Sequence, residues 1–411
     1  MAISADDITF EPGSPAFARD PYGVYADLRS LDKPWYYREI DGWLLSRYED
    51  VEAAARDSRL VRSLDNLLSA DEIEEQRRAA NWHDMPDHYR FVQRSMLEQD
   101  GEMHDRLRLI ILREFSRRFV EQQHAMIQAH VDRLLDRALA LQDIDFVNDL
   151  AVQIPGHVIG SLIGVPDTDC PMLRTWSENI VQYFDVDRTD ARKQLAESTT
   201  TEFFLYLQDL IRQREKSPEE DLLTRLVQAR NQGELDDNEL VSTCMLILMA
   251  GHGSTIDVLG SGLHTLLRFP GQMQLLRENP GLMPDAVQEM FRFESPLPFF
   301  HRYLSEDLRI AGREFPRGTK VGLLYGAANR DPKAFPDADN FDIRRQPNRH
   351  VAFGRGAHLC LGNHLARLDM DIIFRTLFSR TREIQLSDEP VYRPGLSVRG
   401  PQTLPVRLIA R

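Results

Sequence analysis

The sequence predicts a mainly α-helical protein with smaller β-sheet regions. Three patterns carry that expectation. Apolar residues recur at helical spacing through most of residues 103–230. The stretch 237–267 is apolar on nearly all sides, as befits a helix in the middle of a large protein. Strand-like runs appear only at 43–48, 308–310 and 320–323.

Taken in order, Asp20 and Pro21 open a helix over 22–30, with Asp20 as N-cap. A strand at 43–48 leads into a helix over 49–56. The stretch 62–99 is polar and irregular and reads as a long surface excursion able to cover a pocket. Amphipathic helices follow over 103–115, 119–141 and 146–163, the last ended by Gly164-Val165-Pro166-Asp167. Two more span 172–183 and 189–215, and the turn at 185–188 is a second lid candidate. A short helix over 221–230 precedes the long one at 237–267, which Gly251 and Gly253 interrupt. Residues 284–293 are helical, and the strand pieces 308–310 and 320–323 flank Pro316-Arg317-Gly318. A final helix over 362–379 leaves a glycine-rich loop.

The 411 residues contain no linker, repeat or low-complexity tract, so one domain over 1–411 is expected, with 1–17 as an extended leading segment. A net charge of −14 argues against a nucleic-acid partner. Cys170, Cys244 and Cys360 are too few and too far apart for a disulfide framework. The first ten residues carry Asp6 and Asp7 and no apolar run, which argues against a signal peptide. The longest apolar stretch, 244–250, is too short for a membrane span. A cytoplasmic protein with no membrane partner is expected.

The chemistry concentrates in Phe353-Gly354-Arg355-Gly356-Ala357-His358-Leu359-Cys360-Leu361-Gly362. Gly354, Gly356 and Gly362 suit a tight loop with positive φ, which would bring backbone N–H groups to the Cys360 sulfur. Such a thiolate can be an axial donor to haem iron. The bland reading is a buried free cysteine in a turn. A zinc site using His350, His358, Cys360 and His364 is a third reading, weakened by having a single Cys. Glu289 and Arg292 share a helix face, which alone is a common ion pair. His104 and Arg108 likewise lie four residues apart, and an Arg fork suits a carboxylate.

The loop pattern F-x-x-G-x-x-x-C-x-G resembles the cysteine-ligand loop of the cytochrome P-450 family. Glu289-x-x-Arg292, followed by Phe341-Asp342-Ile343-Arg344-Arg345, resembles that family's Glu-Arg-Arg triad, and the likeness extends over residues 18–411. The resemblance implies haem b with Cys360 as axial thiolate and Phe353 and Gly362 in its loop. It implies His104, Arg108, Arg302, His350 and His358 as propionate partners. The triad Glu289, Arg292 and Arg345 would fix the segment beneath the haem.

Members of the family mostly insert one atom of O₂ into an organic substrate. Those of this length usually draw electrons from a separate ferredoxin and its NAD(P)H-dependent reductase. Arg106, Arg113, Arg117, Arg118, Arg349, Arg355 and Arg367 would gather on the cysteine side as a docking face for an acidic carrier. The chain departs from the family in the long helix. Where an Ala-Gly-x-acid-Thr motif is usual, it has Ala250-Gly251-His252-Gly253-Ser254-Thr255. Gly253 replaces the acid, Ser254 and Thr255 offer hydroxyls, and Asp257 lies one turn on, able to reach back through water. The pocket-facing positions correspond to Leu246, Met249, Ala250, Phe299, Phe300, Leu396 and Val398, which suggests a small apolar substrate, aromatic ones included. Hydroxylation or oxidative O-demethylation fits this reading. Peroxide-driven or coupling chemistry is the alternative that the lost acid raises, and a non-enzymatic haem sensor is a third.

Overall fold

The computed structural model describes residues 4–65 and 67–411. They form a mainly helical fold with small sheets, as expected, gathered into two compact units. One unit holds residues 4–60, 120–154 and 254–411, and the other 61–119 and 155–253. Neither unit is one continuous stretch of chain.

The first unit is built on a sheet that the sequence shows only in fragments. Trp35–Tyr37 pairs antiparallel with Gly42–Leu45, which runs parallel to Lys320–Leu324, which in turn pairs antiparallel with Phe299–Leu304. Burial of Leu45, Val51, Leu304, Val321, Leu323 and Val351 makes one core beneath it. Val351 ties the segment leading to Cys360 into that core. A second sheet orders Asp143–Asp145, Pro405–Ala410 and Thr381–Leu386. The helices Met283–Phe293 and Asn363–Arg380 pack together, and their buried faces support the cysteine loop.

The second unit is helical. Its centre is Asp237–Ala250, buried at every position from Glu239 to Met249 and packed by Pro86–Arg94, Pro155–Ile163, Cys170–Val181 and Asp190–Lys216. This helix starts at a reciprocal cap: Asp236 accepts from the Glu239 N–H at 2.7 Å, and Glu239 accepts from the Asp236 N–H at 2.9 Å. After Ala250 the ladder breaks at Gly251 and His252 and restarts as Gly253–Arg268. By length and hydropathy, 237–268 could cross a membrane, but 78% of its most apolar window is buried inside the protein. It is a core helix, and hydropathy here measures burial.

Several expected boundaries shift, each for a local reason. The leading segment is not simply extended: Ser14 caps a helix at Pro15–Arg19. The 62–99 excursion contains two helices, Ala70–Ala79 and Pro86–Arg94. The first begins at a Ser69/Glu72 capping box, a signal present in the sequence and hidden by the polar composition after it. The expected helix over 119–141 is two, Arg117–Gln122 and His124–Leu141. That over 146–163 is only Pro155–Ile163 in its regular part, because Pro155 cannot donate to a preceding turn.

Candidate active site

The cysteine loop is fixed by its own backbone first. Gly354 and Gly356 adopt φ of +68° and +70°, so the chain reverses twice within three residues. A Cβ on Gly356 would lie 2.6 Å from the Ala55 carbonyl oxygen, so only glycine fits there. Gly362 differs from expectation: its φ is −78°, and it caps the Asn363–Arg380 helix. The Cys360 N–H donates to the Phe353 carbonyl at 2.8 Å, closing the loop. Asn363 Nδ2 donates to the Cys360 carbonyl at 2.7 Å. The thiol-bearing residue thus stands exposed two positions before a helix N-terminus, where the helix dipole favours an anion.

The three cysteines are unlike one another. Burial pushes the Cys170 thiol up to about 11, helped by Asp167 and Asp169, and the Cys244 thiol up to about 12. Both are buried, neutral thiols, whereas Cys360 is exposed. The zinc reading fails: among the described residues His350, His358, Cys360 and His364 form no group of converging ligand atoms.

Behind the loop lies a polar frame. Glu289 and Arg292 are fully buried and joined by two hydrogen bonds, of 2.7 and 2.8 Å. Arg345 Nε donates to the same carboxylate at 3.2 Å, as do the Asp342 N–H at 3.0 Å and Asn348 Nδ2 at 3.0 Å. Arg292 also donates to the carbonyls of Asn329 and Ala338, each at 2.8 Å. Asn329 Oδ1 then accepts from the Val351 N–H at 2.7 Å, which carries the frame directly to the segment before the loop.

His350 does not offer itself to a propionate. Its Nδ1 accepts from the Ala352 N–H at 3.3 Å, so its Nε2 is the donor to Gln288 Oε1 at 3.1 Å. Burial, with Arg367, Arg355 and Arg292 nearby, pushes its pKa down to about 3, and the ring is neutral. It stacks on Phe291 and steadies Phe353. Gln288 is the residue that the sequence reading misses. Its single Oε1 also accepts from Arg367 Nε at 3.2 Å, and the Arg367 guanidinium lies 4.4 Å over the Phe353 ring. A lone Gln beside the Glu-x-x-Arg pair carries no signal of its own.

Arg355 likewise turns inward. It donates to the carbonyls of Gly354, Arg349 and His350 at 3.0, 3.0 and 2.6 Å. With Arg367 it braces the loop. Arg106 is bound to Glu239 and Arg113 to Glu234, both within the second unit. Arg349, Arg117 and Arg118 remain exposed.

Of the remaining residues in the first unit, Arg302 is buried on Phe299–Leu304 and donates to the His301 carbonyl, and His358 is half-buried. The Phe299 ring fills the space over Gly322, where a Cβ would come within 2.5 Å of it. Phe300 packs on the sheet core. Both aromatics pack on the sheet. Leu396 is fully buried and Val398 half-buried. Asp257 does not reach back toward Gly253. Its carboxylate lies 3.7 Å from Arg393, against a Gly400 backbone that leaves no room for a Cβ. Thr255 is buried and Ser254 half-buried.

In the second unit His104 and Arg108 share one face of Gly101–Glu114, with His104 buried and its Nδ1 2.9 Å from Asp105. Leu246 and Met249 are buried, while Ala250 is exposed and Gly251 packs tightly on Ile159. A Cβ on Gly253 would meet nothing within 4 Å. Small residues thus leave accessible room beside the helix break. An exposed sulfur at a helix N-terminus, on a loop closed by positive-φ glycines, is a donor set that fits a haem thiolate.

The chain matches the family model described as Cytochrome P450 over residues 66–391. It is 34% identical to the biotin biosynthesis cytochrome P450 of Bacillus subtilis (strain 168), over 97% of this chain and 99% of that protein. It is 32% identical to the 6-deoxyerythronolide B hydroxylase of Saccharopolyspora erythraea, over 96% of this chain and 98% of that protein. Among solved structures, P450BioI in complex with hexadec-9Z-enoic acid ligated acyl carrier protein superposes with a TM-score of 0.89 at 33% identity, covering 96% of this chain and 100% of that one. Epothilone D-bound P450epoK gives 0.90 at 31%, covering 98% and 99%. Relatives named as hydroxylases and monooxygenases do not favour the peroxide or coupling alternative. Motif, fold and relatives agree: this chain belongs to the cytochrome P450 family of haem-thiolate monooxygenases.

Proposed function

We propose that the Cys360 thiolate would hold the haem iron and that the enzyme hydroxylates an apolar, largely aliphatic molecule with electrons from a separate ferredoxin system in the cytoplasm. The observation that carries the ligand assignment is the loop: of three cysteines, only Cys360 is exposed, and it stands on a loop with two positive-φ glycines. When bound, a haem thiolate supplies the electron push that favours O–O cleavage. The protein's part is to hold and shield. Gln288, His350 and Arg367 fix Phe353 beside the thiolate, and Arg355 pins the carbonyls before it. By their place in the motifs, His104, Arg108, Arg302 and His358 pair with the propionates. Ser254 Oγ supplies the proton that the missing acid at Gly253 does not. The two units together make one P450 domain, since the chain passes between them four times.

The aliphatic preference rests on Leu246 and Met249 and on the relatives. Their names and titles include a polyketide biosynthesis enzyme and complexes with myristic acid and epothilones. The reduced, carbon-monoxide-bound protein is expected to show the strongly red-shifted Soret band of a thiolate-ligated haem. Cys360→Ala is expected to abolish that band, while Cys170→Ser and Cys244→Ser keep it; survival of the band in Cys360→Ala sinks the assignment. A spectral screen for water displacement should register fatty acids or macrolides. Response to aryl ethers alone would overturn the aliphatic reading.

A further inference from the structure

Away from the cysteine loop, one grouping of side chains in the second unit has the chemistry of a metal site. His157 on Pro155–Ile163, Asp167 in the following turn and Cys170 at the start of Cys170–Val181 bring an imidazole nitrogen, a carboxylate oxygen and a sulfur within 4.8 Å of one another. Among the described residues no other His, Cys, Asp and Glu side chains converge in this way. His157 Nδ1 is 3.4 Å from Asp167 Oδ1.

The backbone sets this arrangement without help from an ion. Gly164 and Val165 both donate to the Gly160 carbonyl, at 2.9 and 2.8 Å, and Asp169 donates to Pro166 at 2.9 Å. The Cys170 sulfur rests on Gly160, where a Cβ would come within 2.7 Å of it, and its thiol points to the Pro166 carbonyl at 3.7 Å. Asp169 is engaged by the Tyr206 hydroxyl at 2.8 Å and by Thr168 at 2.9 Å. Asp167, with 73% of its side chain exposed, gives an ion its way in.

We propose that His157, Asp167 and Cys170 bind a borderline divalent cation of the zinc class, with water completing the shell. Sulfur and imidazole donors select zinc-like ions over magnesium or calcium. Bonds of about 2.0–2.3 Å around a tetrahedral ion place its ligand atoms roughly 3.3–3.8 Å apart, within reach of side-chain rotation from the present separations. Cys170 binds as thiolate and releases one proton to solvent per ion bound, so affinity rises with pH. The bound ion pins the turn between the two helices.

The haem-loaded full chain should be titrated with zinc chloride against a chromophoric chelator. One equivalent is expected to bind, with one sulfur in the shell by zinc-edge X-ray absorption. His157→Ala and Cys170→Ser should each weaken binding about tenfold or more, and Asp167→Asn should weaken it less. Magnesium should not compete. Parent-like binding in all three variants, or a shell without sulfur, overturns the site. Should Cys170→Ser fold poorly, the two more exposed positions, His157 and Asp167, still decide the matter.

Discussion

At the scale of single residues, the site is held by buried charge more than by the loop that names it. Glu289 accepts from two arginines, a backbone N–H and Asn348, so its removal strands Arg292, which has no exposed surface. Losing one partner of such a pair costs about 3–5 kcal/mol, because the other charge stays buried. Glu289→Ala is therefore expected to yield unstable, haem-poor protein, checked by thermal unfolding and by the haem-to-protein absorbance ratio. Glu289→Gln, which keeps the acceptor, should lose less; full stability in Glu289→Ala would refute the framing role. Spacing and order made Glu289, Arg292 and Arg345 legible. What they did not reveal is Gln288, whose one oxygen joins His350 to Arg367, since a neutral amide has no motif of its own. Nor could they show another buried pair, Arg399 with Glu294 at 2.8 Å, closed by the Tyr22 hydroxyl. Those three partners come from opposite ends of the chain, and no local pattern links them.

At the scale of elements, the helix break after Ala250 holds two glycines with opposite constraints. A Cβ on Gly251 would stand 2.6 Å from Ile159 Cγ1 and 2.7 Å from the Ile247 carbonyl, whereas one on Gly253 would meet nothing within 4 Å. Gly251 is thus a packing residue. Gly251→Ala is expected to destabilise by about 1–3 kcal/mol through overpacking. Gly253→Ala is expected to be neutral or slightly stabilising, since alanine is the better helix former by about 1 kcal/mol. Thermal unfolding of the two variants side by side tests this, and equal effects would show that the two sites are not distinguished by packing. The long apolar helix was legible because burial on all sides leaves a continuous apolar run. The sheet around Lys320–Leu324 was only partly so, because its strands are two to six residues long and pair across nearly 300 positions of sequence. Short strands give too few alternations to separate period two from chance.

At the scale of the whole molecule, a net charge of −14 disfavours the approach of an acidic electron carrier. Docking of such a carrier would then depend on cations that the fold leaves outward near the cysteine loop. The sequence shows a dense arginine set, but the structure divides it by what each guanidinium touches. Arg355 spends its donors on three loop carbonyls and Arg367 lies over Phe353, while Arg349 is exposed and gives only its backbone carbonyl to Arg355 and Tyr48. Charge reversal at these positions should therefore have different consequences. Arg349→Glu is expected to slow reduction by an acidic ferredoxin several-fold at low salt and to flatten its salt dependence, with haem content and substrate binding unchanged. Arg355→Glu is expected to lower haem retention as well, because it removes three hydrogen bonds from the segment before Cys360. Stopped-flow reduction across a salt series, read beside the haem-to-protein ratio, separates the two effects. Parent-like salt dependence in Arg349→Glu would place the carrier elsewhere. Full haem retention in Arg355→Glu would show that the loop stands without its brace.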